Sequence, residues 1–370
     1  MFLNYDGVRK RPDSILTTES CPRGIVRSGS RIATCMLTLM IGVLFSMPIR
    51  TNAGGLNFEV LVSEQGAAGQ VPALQRFEAR DGTALAYRHY PSESPTALIV
   101  LHGSGTDSKY LATFAQALAD AGAAAVYTPD IRGHGPSPQR RGDIDYIHQL
   151  EDDLADFIYH VKTENSAITR LVVGGHSSGG GLAIRFAGGE YGHLAAAYLL
   201  MAPYLGHDAP TVRNNSGGWA EPSVAKIIAL SILNRLGVKG LNSATVLRFK
   251  LPPEYRDGSE TLAYSYRLMT GFNPSNYPDD LRSINVPSLF LTGAEDEAFF
   301  ADRFESTVRP HVPDAEVITV PGTSHLGLLV NEEGIEIVRQ WLQARSRTLS
   351  MCTFENSQSL MDDNQKRAPS

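Results

Sequence analysis

Cysteine and basic charge are both scarce in this sequence of 370 residues. The three cysteines, Cys21, Cys35 and Cys352, lie far apart and none forms a C-x-x-C pair, so we expect neither a metal site nor a disulfide framework. The 33 Lys and Arg residues are outnumbered by 39 Asp and Glu, which gives a net charge of -6. Without a basic excess, nucleic acid is not an expected partner. We also find no internal repeats.

What the chain does contain is typical of a globular protein. It is 42% hydrophobic and 19% charged, so it can bury a sizeable core. The length suits one large domain or two small ones.

The first 53 residues form a leader that carries no domain pattern. Residues 1–31 are polar and lean basic, and residues 32–49 then run without a charge. Small residues at 51–53 follow, which is the arrangement of a secretory signal peptide. The apolar run is also long enough for an uncleaved membrane anchor. We therefore expect a protein that is exported, secreted or periplasmic, or held at a membrane through residues 32–49; if the native start lies later, the expected location is cytoplasmic.

From Leu74 onward, strands and helices alternate. Two alternating segments, 74–79 and 84–90, flank Asp81-Gly82 and predict a β-hairpin. Apolar strands then alternate with helical patterns, which predicts a mostly parallel sheet flanked by helices on both faces.

The alternation breaks between Pro203 and Asn276, where an apolar-rich segment, 224–236, predicts a helix and 262–269 predicts another. We interpret this region as a helical cap inserted late in the sheet, whose apolar side either packs on the sheet's helices or faces a pocket. The predicted organisation is a leader at 1–53, the core at 74–202 and 277–345, the cap at 203–276, and a disordered polar tail at 346–370.

The sequence RLVVGGHSSGGG at 170–181 predicts the active centre. A buried strand leads into G-x-S-x-G and then into a helical pattern, which is the arrangement of a nucleophile elbow. Ser177 has Gly175 and Gly179 two residues away on each side, where a strained turn leaves no room for a Cβ. Ser178 fits this register less well, because His176 and Gly180 occupy the equivalent positions.

A nucleophilic serine needs a base and a carboxylate that orients the base. His325, in the loop Pro321-Gly322-Thr323-Ser324-His325 after a strand, is the candidate base. Asp296 is the candidate acid, and Glu295 is the alternative because both lie in one acidic cluster. The chain order Ser, Asp, His is that of nucleophile-elbow hydrolases.

With these motifs the chain resembles the α/β-hydrolase superfamily, and is most similar to its branch of monoacylglycerol lipases, lysophospholipases and serine aminopeptidases. The resemblance covers roughly residues 74 to 345. It is carried by HGSG at 102–105, DIRGHG at 130–135, GHSSG at 175–179, GAED at 293–296 and the loop that ends at His325. It implies an oxyanion hole made by the backbone N–H groups of Ser104 and Ser178, with His102 in a structural role. Arg132 and His134 of DIRGHG are expected to stabilise loops, and substrate contact is their alternative role.

The expected reaction is acyl transfer through an acyl-enzyme, with no cofactor and no metal. The substrate is expected to be a small-molecule ester or lipid with an apolar acyl chain, such as a monoacylglycerol or a lysophospholipid. An aminopeptidase-like amidase is the alternative, and would need acidic residues in the cap to bind an amine. The cap offers four such residues: Glu221, Glu254, Asp257 and Glu260. A non-catalytic binding protein is the third hypothesis.

Overall fold

The computed structural model describes residues 55–60 and 71–345. The eleven strands within these residues are β1 Gln75–Glu78, β2 Ala84–Tyr90, β3 Thr96–Leu101, β4 Ala125–Pro129, β5 Arg170–His176, β6 Ala197–Met201, β7 Ala220–Pro222, β8 Thr245–Phe249, β9 Ala263–Ser265, β10 Ser288–Gly293 and β11 Glu316–Val320. The helices are α1 Ala112–Asp120, α2 Gln149–Glu164, α3 Ser178–Gly188, α4 Val224–Arg235, α5 Tyr266–Phe272, α6 Tyr277–Arg282, α7 Phe304–Val308 and α8 at 332–345.

Eight strands form one sheet in the order β1-β2-β4-β3-β5-β6-β10-β11. Strand β2 pairs antiparallel with both of its neighbours, and the pairings from β4 to β11 are parallel. The predicted α/β class with a mostly parallel sheet is therefore confirmed. The hairpin is also confirmed, because Glu78 pairs with Ala84 across the turn that contains Gly82.

The middle of the sheet supplies the core. Every residue of β3, β5 and β10 is buried, as expected for parallel strands that are covered on both faces. Since parallel strands end at the same edge, the loops that follow β3, β5, β10 and β11 meet there, and these loops carry the predicted site residues.

The region between β6 and β10 contains more than the helices we expected. Helix α4 is present, but β7, β8 and β9 form a separate antiparallel sheet beside it. The helix predicted over 262–269 is wrong at its start. Residues Ala263–Ser265 form β9 instead, and α5 begins only at Tyr266, where the Ser265 hydroxyl accepts a hydrogen bond from the amide of Leu268 at 3.1 Å. The pairing of β9 with β8 outweighs the weak local helical pattern.

Within residues 55–60 and 71–345, no helix has both the length and the apolar character required to cross a bilayer. The predicted signal or anchor at 32–49, with the rest of the leader to residue 53, lies outside the described residues, as does the predicted tail at 346–370.

Candidate active site

Ser177 occupies the turn between β5 and α3. Its backbone has φ 56° and ψ -122°, a conformation that is strained for any residue with a Cβ. Three backbone hydrogen bonds hold it: its N–H donates to Met201 at 2.9 Å, and its carbonyl accepts from Gly181 and Tyr204 at 3.1 and 3.0 Å. Ser178, by contrast, is the first residue of α3.

The two glycines that flank the turn are required by packing. A Cβ on Gly175 would lie 2.3 Å from the backbone of Gly179. A Cβ on Gly179 would in turn lie 2.3 Å from the carbonyl oxygen of Leu101, at the end of β3. Both distances are far below van der Waals contact. The two ends of the turn therefore pack directly on each other, and Gly179 packs on the backbone that leads from β3 into the HGSG loop.

His325 and Asp296 meet behind this turn. The Nδ1 of His325 lies 2.8 Å from Oδ2 of Asp296, and both side chains are almost fully buried. The other carboxylate oxygen of Asp296 accepts from the amides of Ala298 and Phe299, each at 2.8 Å. Because a carboxylate oxygen accepts, Nδ1 of His325 is the donor of this pair.

The two glutamates beside Asp296 are not paired with the His325 ring. Glu295, the alternative acid, is exposed. Glu297 accepts a hydrogen bond from the backbone N–H of His325 at 2.9 Å. This contact was not predictable from sequence, because Glu297 lies in a run of three acidic residues that look alike. The loop after β10 thus holds the histidine by both its ring and its backbone.

The HGSG loop leaves one amide unoccupied. The amides on each side of Ser104 are engaged: Gly103 donates to the hydroxyl of Tyr110 at 2.7 Å, and Gly105 donates to that of Tyr264 at 2.9 Å. Within the described part of the chain, the amides of Ser104 and Ser178 have no hydrogen-bond acceptor. The hydroxyl of Ser104 accepts from the indole N–H of Trp219 at 3.2 Å.

Two buried histidines fix the tyrosines that hold this loop. Tyr110 donates to Nδ1 of His176 at 2.7 Å, and Nε2 of His176 donates to the carbonyl of His325 at 3.0 Å. Tyr264 donates to Nε2 of His134 in the same manner. Burial holds the pKa of His134 well below its ordinary value of 6.5. The pKa of His176 is lowered likewise, by burial first and by the nearby His325 second, so both rings are neutral acceptors.

Side chains of the DIRGHG and HGSG motifs stabilise the loops that follow β4 and β3. Arg132 forms two hydrogen bonds of 2.7 Å with Asp153 on α2 and an ion pair with Asp81 in the first hairpin. Nε2 of His102 accepts from the amide of Ile131 at 3.0 Å. None of Arg132, His102 and His134 lines the cavity described next.

A cavity of about 450 Å³ lies over the elbow. Ser104, Ser177, Ser178 and His325 contribute to its wall. Most of its remaining wall is apolar and comes from the region between β6 and β10: Val212, Trp219, Ala220, Pro222, Val224, Ile227, Ile228, Leu247, Phe249, Met269 and Phe272. The described residues that line it include no Asp or Glu. Of the four acidic residues considered for binding an amine, Glu221 pairs with Lys250 and Asp257 pairs with Lys109, each at 3.0 Å, outside the cavity.

Comparisons with known proteins agree with this fold. The family described as serine aminopeptidase, S33, matches residues 92–332. The chain is 27% identical to a non-heme haloperoxidase of Rhodococcus erythropolis over 70% of its own length and 94% of that protein. It is 24% identical to a monoglyceride lipase of Saccharomyces cerevisiae, over 75% and 95% of the two chains. Among solved structures, a soluble variant of the Saccharomyces cerevisiae monoglyceride lipase with a substrate analogue superposes with a TM-score of 0.57 at 19% identity, covering 74% of this chain and 95% of that one. The chain therefore belongs to the serine aminopeptidase S33 family of α/β-hydrolases and is similar to the monoglyceride lipases.

Proposed function

We propose that this protein is a serine hydrolase that cleaves carboxylic esters with an apolar acyl chain, of the monoacylglycerol or lysophospholipid kind. The observation that carries the proposal is that Ser177 and the paired His325 open into one largely apolar cavity. In this proposal Ser177 is the nucleophile, His325 the base and Asp296 the orienting acid.

The reaction proceeds in two halves. Nε2 of His325 takes the hydroxyl proton as Ser177 Oγ attacks the acyl carbon, and the amides of Ser104 and Ser178 donate to the resulting oxyanion. The tetrahedral intermediate collapses, the bond to the leaving oxygen breaks, and His325 gives that oxygen its proton. Water then attacks the acyl-enzyme by the same sequence, which releases the acid and restores Ser177.

The composition of the cavity wall favours an ester over an aminopeptidase substrate. An aminopeptidase must hold a free α-amine, and a buried ammonium requires a carboxylate partner. The described lining contains none, and two of the four acidic candidates of the cap, Glu221 and Asp257, are paired with lysines. The apolar wall, by contrast, suits a hydrocarbon chain.

The test compares p-nitrophenyl esters from acetyl to dodecanoyl with aminoacyl p-nitroanilides. We expect ester hydrolysis whose kcat/KM rises with chain length until the cavity is full, and little or no cleavage of the anilides. Faster cleavage of the anilides would favour the amidase, and a rate independent of chain length would contradict the acyl-binding role of the cavity.

A further inference from the structure

The cavity has a second, polar side, formed by residues 213–216. Building on the proposed function, we propose that Arg213 binds an anionic group, a phosphate or a carboxylate, on the alcohol that leaves from the ester. The preferred substrate would then be an acyl ester of a negatively charged alcohol rather than of a neutral one.

Arg213 is held in place but not neutralised. Its Nε donates to the carbonyl oxygens of Asp296 and Phe299, at 3.2 and 3.0 Å, and its guanidinium carbon lies 4.1 Å from the ring centroid of Phe300. Within the described residues it forms no ion pair, and its two terminal nitrogens have no hydrogen-bond acceptor. Arg213 lines the cavity, and in this proposal its terminal nitrogens are the donors that a ligand meets. An arginine fixed through Nε presents its remaining N–H groups as a fork that suits phosphate and carboxylate.

The residues after Arg213 adopt an unusual backbone. Asn215 and Ser216 have φ 51° and 47°, a left-handed conformation that costs free energy in residues other than glycine. A Cβ on Gly217 would lie 2.0 Å from the carbonyl oxygen of Glu297, so the turn is pressed against the loop that carries Asp296. This packing places Asn214, Asn215 and Ser216 along the cavity wall beside Arg213. Strained residues of this kind are found where a binding site requires them.

The position of Arg213 relative to His325 indicates which half of the ester it meets. Arg213 binds the backbone of the same loop whose Asp296 side chain pairs with His325. Because His325 protonates the leaving oxygen, the alcohol lies on this side of Ser177. Ser104 and Gly105, on the HGSG loop, lie next to Trp219 and Phe249. In this proposal the acyl chain lies against these aromatic side chains, and the alcohol extends towards Arg213.

The charged groups of the cavity lining also favour a negative ligand. Among the described residues that line the cavity, Arg213 carries the one permanently charged side chain, and no carboxylate competes for it. A bound anion would gain a charge-assisted hydrogen bond in a partly enclosed site, an interaction that is worth about ten- to hundredfold in kcat/KM.

The experiment uses three esters with the same decanoyl chain below their aggregation limit: decanoyl glycerol, the same compound phosphorylated on its terminal hydroxyl, and the decanoyl ester of glycerate. We expect the full-length protein to prefer the two anionic esters. In Arg213→Gln the ratio of kcat/KM for the anionic to the neutral ester should fall by about tenfold or more. A fall for the phosphate alone identifies a phosphate subsite, and a fall for both identifies a general anion subsite.

Arg303→Gln is the matched control. Arg303 stacks on the same ring, with its guanidinium carbon 4.0 Å from the centroid of Phe300, but it donates to the carbonyl of Pro210 and does not line the cavity. Its replacement should leave the ratio unchanged. An equal fall in both variants, or an unchanged ratio in Arg213→Gln, would overturn the proposal.

A measurement on the unmodified protein covers the case in which Arg213→Gln does not fold. Glycerol phosphate should inhibit hydrolysis of the neutral ester competitively, and glycerol should not; equal inhibition by the two would overturn the subsite. If the protein cleaves the neutral ester without any preference for the anionic ones, the subsite fails and the esterase stands. If it cleaves none of the three esters and a fluorophosphonate does not label it, both proposals fail.

Discussion

Three consecutive acidic residues differ sharply in what they contact. Asp296 accepts a hydrogen bond from the imidazole of His325, and Glu297 accepts one from the backbone amide of the same residue. Glu295 is exposed. The carboxylate of Asp296 is also fixed by two backbone amides, so its pairing with the ring does not depend on a flexible side chain. This arrangement gives Asp296 and Glu297 separate and testable roles.

Replacing Asp296 with Asn should lower kcat by roughly three to four orders of magnitude, because an amide in this position stabilises the wrong tautomer of His325. KM should change much less. Steady-state kinetics on a p-nitrophenyl ester would measure both. Glu295→Gln is the matched control and should retain nearly full activity; a large loss in Glu295→Gln with normal activity in Asp296→Asn would assign the acid to the neighbouring position.

Local sequence was sufficient to predict some residues of the candidate site and not others. The glycines around Ser177 belong to one short segment, and the order of serine, aspartate and histidine can be read along the chain. Both could therefore be predicted from the sequence. Tyr264 contacts the amide of Gly105 from 159 positions away, and Trp219 contacts Ser104 from 115 positions away. No pattern in one sequence reports contacts between such distant segments, and for the same reason Arg213 was not predicted.

At the scale of elements, helix α4 is apolar on more than one side. Leu230 and Leu233 are buried, and Ile227 contributes to the cavity wall. Ile232 is 42% exposed and does not line the cavity. The helix therefore has one face for packing and one for the cavity, which is the second of the two arrangements that the sequence left open.

Replacing Ile227 with Ser should reduce the dependence of kcat/KM on acyl-chain length. Each CH₂ buried against an apolar wall contributes about 0.8 kcal/mol, and a hydroxyl in that wall removes part of this gain. Rates across an ester series from acetyl to dodecanoyl would measure the slope. Ile232→Ser, on the same helix but outside the cavity, should keep the wild-type slope; the same reduction in both variants would show that the effect is not local to the cavity.

The short strands between β6 and β10 were not predicted from the sequence, which indicated only helices there. Strands β7 and β9 have three residues each, which is too short for an alternating pattern to be recognised. Their pairing with β8, Ala220 with Phe249 and Ala263 with Arg248, crosses loops and leaves no short-range pattern. Strands β3 and β5 were predicted because their apolar runs, 97–101 and 171–173, are a local signal.

For the molecule as a whole, buried neutral histidines make stability depend on pH. Burial lowers the pKa of His134 well below 6.5, so the folded state holds this ring unprotonated. The unfolded chain binds a proton there once the pH falls below about 6.5. Unfolding therefore takes up a proton in this range, and the free energy of unfolding must decrease as the pH falls.

In His134→Gln, unfolding at low pH should take up one proton fewer than in the wild-type protein. The slope of the free energy of unfolding against pH, measured by urea denaturation between about pH 5.5 and 6.5, should be smaller in the variant by up to about 1.4 kcal/mol per pH unit. Above about pH 7.5 the difference between the two proteins should become constant, since the remaining titrating groups cancel in the comparison. Parallel curves throughout would mean that His134 has the same pKa in the folded and unfolded states, which would contradict the lowered pKa.

The measurement that tests the central claim most directly is the site of covalent labelling by a small fluorophosphonate. Peptide mass spectrometry of the labelled protein should find the adduct on Ser177, and Ser177→Ala should lose both labelling and esterase activity by orders of magnitude while remaining folded. Ser178→Ala, one position along, should still be labelled. An adduct on Ser178, or an active Ser177→Ala, would contradict the account.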